Sequence, residues 1–146
     1  MKSVTLLQGA FSHYAFAERL PHDHAHSGSL RDAQRRLDGP VVLCFSVHDS
    51  ALGTMYPLAS KLAGDDRNLF ELGDRWGAMG HDGVQGVDTC ARLALAEALS
   101  GAFPASGCVS VDASAVVKNG GPPSGAHSDI CHEELARVVL RAGRLA

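Results

Sequence analysis

The chain has 146 residues, 45% of them hydrophobic and 20% charged, with a formal net charge of −3. That length suits one domain with one core, and the apolar share is enough to offset the entropy of ordering, which excludes disorder as the main state. The charge balance, with no dense Lys/Arg patch interleaved with aromatics, excludes nucleic acid as a partner; Arg31, Arg35 and Arg36 read as a solvated face.

Along the chain, Val4–Leu7 is a short apolar run that stops at Gln8-Gly9. It is too short for a membrane span, and no small-residue cleavage site follows it, so a cytoplasmic protein without a membrane partner is expected. Residues 21–29 are polar and histidine-rich and read as a loop. Val41–Phe45 follows Gly39-Pro40 and is apolar throughout, as suits a strand buried on both faces of a parallel sheet. Residues 57–62 open with Pro57 and stop at Gly64, the pattern of a short helix. Residues 64–88, rich in Gly and Asp around Trp76, read as a loop. Residues 89–102 carry Ala91, Leu95, Ala98, Leu99 and Ala102 on one face of a predicted helix. Residues 108–117 alternate Val109, Val111 and Ala113 with Ser110, Asp112 and Ser114, the period of a strand. Residues 118–126, KNGGPPSGA, are turn material. The last helix is predicted at about 132–142, with Glu133 and Glu134 at its positive end, Arg137 and Arg141 toward its negative end, and Leu135, Val138 and Val139 as its buried stripe. Strands alternating with helices predict an α/β layer structure.

Two segments carry chemistry: GPVVLCFSVHDSALG, a strand followed by His48-Asp49, and VSVDASAVVKNGGPPSGAHSDI, a strand, a Gly/Pro-rich loop and His127. Ligands of open α/β sheets bind beyond the carboxyl ends of the strands, so Asp49 and His127 are candidates for one site. A carboxylate on one imidazole nitrogen fixes the tautomer and supports the cation formed when the other nitrogen takes a proton. Read singly, Asp49 is also an ordinary turn residue, and Ser128 or Asp129 beside His127 a helix N-cap.

Taken together, these segments resemble the C-terminal half of the α/β-hydrolase superfamily, and HDSALGTMYPLAS and GAHSDI resemble a little-characterised bacterial group within it. The resemblance covers most of residues 3–143. It implies a partial parallel sheet of about three strands flanked by helices, lacking the N-terminal half, with Asp49 as triad acid and His127 as base. VTLLQGAFSHYAFA resembles the strand after the nucleophile helix, which makes residues 10–39 a short cap and 64–107 an insertion between acid loop and last strand. The pattern departs from the superfamily in one large respect: no G-x-S-x-G occurs. The expectation is therefore the back portion of a serine hydrolase of the esterase or acyl-hydrolase kind, inactive alone. Its partners would be a missing N-terminal half, or a chain completing the sheet, and a small acyl substrate. The alternative is a non-catalytic interaction module or truncated fragment on the same scaffold.

Other motifs read blandly. His22, His24 and His26 alternate in HDHAH and could grip Zn²⁺ or Ni²⁺, but read better as a solvated loop. Cys131-His132 reads as a core cysteine beside a surface histidine, and His81-Asp82-Gly83 has no EF-hand spacing. Cys44, Cys90, Cys108 and Cys131 form no CxxC and read as buried thiols. No cofactor and no metal is expected.

Overall fold

The computed structural model describes residues 1–55 and 77–145. The predicted helix at 57–62, the segment 64–76 and Trp76 lie outside the described residues. Among the described residues four strands form one parallel sheet: β1 (Val4–Leu7), β2 (Val41–Phe45), β3 (Ala91–Ala94) and β4 (Cys108–Asp112). Their order is β1-β2-β4-β3. Every residue of β2 is buried, because it is central and both faces are covered. On one face, Val42, Cys44, Val109 and Val111 pack with Leu95, Ala98, Leu135, Val138 and Ala142. On the other, Val41, Leu43 and Cys108 pack with Ala15, Phe16, Met79 and Val84. Segment 10–39, a loop with a single 3₁₀ turn at Ala33–Arg36, thus supplies part of the second layer.

The strands of residues 4–7 and 41–45 lie where the sequence predicts them, and the final helix, Glu133–Ala142, starts one residue late. Its buried stripe differs: Leu135, Val138 and Ala142 are inside, whereas Val139 is 40% exposed. Residues three and four apart share a helix face, and the pair chosen by the fold is 138 and 142 rather than 138 and 139.

Three other expectations are corrected. Among the described residues the sheet has four strands, not about three, because the predicted helix at 89–102 divides into β3 and a helix, Leu95–Ser100. Pairing of Ala91–Ala94 with Val109–Asp112 satisfies the backbone at the sheet edge, and tertiary pairing overrides the helical preference of Ala and Leu. The switch falls at Ala94, whose extended N–H is accepted by the Glu97 side chain at 2.8 Å. The predicted strand at 108–117 ends at Asp112, because the Asp112 carboxylate accepts the Ser114 N–H at 3.0 Å and turns the chain. Residues 79–82, within the predicted loop, form one helical turn.

Because β3 adds to the outer side of β4, the residues between β2 and β4 in sequence do not separate those strands in space. Phe45 and Asp112 are register partners, so the two strands finish side by side.

Candidate active site

Each of the two strand ends releases a turn that the other holds. Beyond β2, the buried Ser46 hydroxyl donates to the Val117 carbonyl at 2.5 Å and accepts the His48 N–H at 3.1 Å. The His48 carbonyl then accepts the Ala126 N–H at 3.0 Å, and the Ala51 N–H donates to the Ser124 carbonyl at 3.1 Å. Gly125 lies inside this clamp with φ of +60°, where a Cβ would stand 2.4 Å from the His48 carbonyl oxygen. Only glycine permits that approach and that dihedral together.

The clamp brings Asp49 and His127 together. His127 Nδ1 and Asp49 Oδ2 are 2.8 Å apart, across 78 positions of sequence. Asp49 is fully buried, while the His127 side chain keeps 38% of its surface exposed. The second carboxylate oxygen of Asp49 accepts the Leu52 N–H at 3.0 Å, and the backbone then enters a π-helical turn, Ala51–Met55. A buried carboxylate needs such partners, and here both oxygens have one. As an ionised carboxylate only accepts, the imidazole proton between them belongs to Nδ1, which leaves Nε2 with a lone pair. Among the described residues no hydrogen bond engages Nε2.

The loop carrying His127 is held independently. Asp129 Oδ2 accepts the N–H groups of Lys118 and Asn119 at 2.9 and 2.8 Å, and these bonds hold its carboxyl below the ordinary aspartate value. Asp129 Oδ1 bonds His132 Nε2 at 3.0 Å. The N-cap reading of Ser128 or Asp129 is corrected accordingly: the N-cap position is His132, and Asp129 staples the loop.

Two further histidines bear on this region: His81, which the sequence offered only within a cation-loop pattern, and His13, which it did not single out. His81 Nδ1 lies 3.1 Å from the Asp49 carbonyl oxygen, where it can donate to the turn that carries the acid. His13, buried at 3% exposure, bonds Asp82 Oδ2 at 2.8 Å and ties residues 12–14 to 77–85. Their neighbours in sequence, HDG and SHY, carry no spacing that distinguishes such pairs from surface histidines. A cavity of about 440 Å³ between Glu18, Arg35 and Val87 has neither Asp49 nor His127 in its lining.

The remaining candidates stay apart from this pair. His26 bonds Asp23 at 2.7 Å on an exposed loop, and His22 sits near the Tyr14 ring. Among the described residues no group of three His, Cys, Asp or Glu is arranged to hold a metal ion. Cys131 is exposed and Cys90 only half-buried, which corrects the reading of all four cysteines as buried. Nor does Cys90 serve His127: it lies opposite Cys108, at the start of β4, roughly 13 Å of strand from the Asp112 end. No described helix is long and apolar enough to cross a membrane. In comparisons with models of protein families, with curated proteins and with solved structures, nothing matches this chain.

Proposed function

We propose that Asp49 and His127 are the acid and base of a serine-hydrolase-type active site on an α/β-hydrolase-like scaffold, whose hydroxyl nucleophile belongs to a segment outside these 146 residues. The observation that carries the reading is the buried Asp49 bonded to His127 Nδ1 with Nε2 left open, at the carboxyl ends of neighbouring parallel strands. The order along the chain, acid before histidine, agrees with the superfamily resemblance. On the far side, β1 pairs only with β2 among the described residues, and the Thr5 hydroxyl on β1 is buried without a partner. A further parallel strand on that edge would deliver its following turn to the same end of the sheet.

In this reading Nε2 takes the proton of the hydroxyl as its oxygen attacks an acyl carbonyl. Asp49 supports the imidazolium, and Nε2 then protonates the leaving group. Water repeats the sequence to free the acid. Base catalysis alone contributes about 10²–10⁴-fold, so the dyad without its nucleophile hydrolyses little. The test is fluorophosphonate labelling of the protein as its own cells make it. Labelling that disappears in His127→Ala supports the proposal, and a folded protein that takes no label removes it. The second reading, a non-catalytic interaction module, is favoured by the absence of G-x-S-x-G from the sequence. It predicts no labelling with either form.

A further inference from the structure

We propose that Cys90 and Cys108 form a reversible disulfide that ties the edge strand β3 to β4. Their sulfurs lie 2.6 Å apart, close to the roughly 2.05 Å of an S–S bond. The pairing is built into the sheet. Ala91 is the register partner of Val109, so Cys90 stands opposite Cys108 one step earlier. Neighbouring strands run about 4.8 Å apart, within the Cα separation of roughly 4.4–6.8 Å that a disulfide spans. Both cysteines belong to the face packed with Val41, Leu43 and Met79.

The two thiols are not equivalent. Cys108 is buried, whereas Cys90 is half-buried and meets the solvent. The hydrogen bond shared with Cys108 holds Cys90 below the ordinary thiol value, helped by the Ser110 hydroxyl at 3.7 Å and the Arg92 charge. The same bond and burial push Cys108 up. Cys90 is therefore the attacking thiol. With a low-molecular-weight disulfide as oxidant, the Cys90 thiolate attacks one of its sulfurs and the oxidant's S–S bond breaks, releasing one thiolate. Cys108 then attacks the Cys90 sulfur, breaks the mixed disulfide and releases the second thiolate. The two cysteines lose two electrons, the oxidant gains them, and the two cysteine protons end on the released thiols. Cys44, pushed up to about 12 by burial, and Cys131, exposed beyond the last-strand loop, take no part.

The experiment incubates the folded chain with excess oxidised glutathione, blocks remaining thiols with iodoacetamide after unfolding, and maps tryptic peptides; cleavage after Arg92 separates the two cysteines. The expected product joins the Cys90 and Cys108 peptides, two hydrogens lighter than their sum. Dithiothreitol reverses it, and hydrogen exchange at Ala91–Ala94 slows about tenfold or more in the oxidised form. In Cys108→Ser the glutathione adduct stays on Cys90. Alkylated Cys90 and Cys108 in wild-type protein whose exposed Cys131 has become a glutathione adduct would overturn the proposal. So would a persistent adduct on wild-type Cys90 beside an alkylated Cys108.

Discussion

Asp49 buries a carboxylate whose two oxygens are each engaged, one by His127 and one by the Leu52 amide. Asp49→Ala removes both acceptors and leaves the amide buried and unpaired, at about 2 kcal/mol of stability by chemical denaturation. His127→Ala exposes a carboxylate that keeps the Leu52 bond, and costs less. Gly125 is the sharper probe, because it touches neither side chain. Gly125→Ala puts a methyl against the His48 carbonyl in a left-handed conformation, and is expected to cost about 3 kcal/mol and part the acid turn from the histidine loop. A stability change below about 0.5 kcal/mol would mean that the clamp is slack. At this scale the sequence was informative about chemistry and silent about support. Asp and His just past strands suggested a shared site, but nothing local marks Ser46, Gly125 or Asp129 as its fasteners, since each acts on a residue far away in sequence or through loop backbone.

At the scale of elements, the last helix tests how its stripe is read. Leu135→Ala should cost about 3 kcal/mol and Val139→Ala less than about 0.5, because the first is buried and the second faces solvent. Equal losses would contradict the packing. The loop ahead of that helix has a pH signature. The Asp129 carboxyl titrates lower when folded than unfolded, so its contribution is present above the unfolded aspartate pKa of about 3.9 and is lost as pH falls through the folded value. Acid below about pH 4 should loosen residues 118–129 in wild-type protein, seen as faster hydrogen exchange. Asp129→Asn should show this loosening at neutral pH, with no further acid step from this group. Val4–Leu7, Val41–Phe45 and the final helix are legible in sequence because local pattern and tertiary context agree there. Ala91–Ala94 is not, because its composition favours helix and only the waiting edge of β4 makes it a strand.

At the scale of the whole molecule, the sheet formed by the described residues has two edges of different character. The β3 edge carries the extra strand and its cysteine pair, while β1 is a short strand half-buried along its length. The proposed nucleophile would join at β1, so the 146-residue chain by itself is expected to take no fluorophosphonate label and to show no ester hydrolysis that His127→Ala abolishes. A label on this chain alone would place the nucleophile within it. Parallel α/β character follows from buried apolar runs alternating with helices, but the order β1-β2-β4-β3 depends on long-range pairing that no local spacing encodes. Everything proposed for the site turns on the orientation of one imidazole, and nitrogen-resolved NMR of the histidine rings reads it directly. His127 is expected to carry its proton on Nδ1, hydrogen-bonded and slow to exchange, and Asp49→Ala to abolish that signal while leaving those of His13 and His26. A His127 protonated on Nε2, or an Nδ1 proton indifferent to Asp49→Ala, would contradict it.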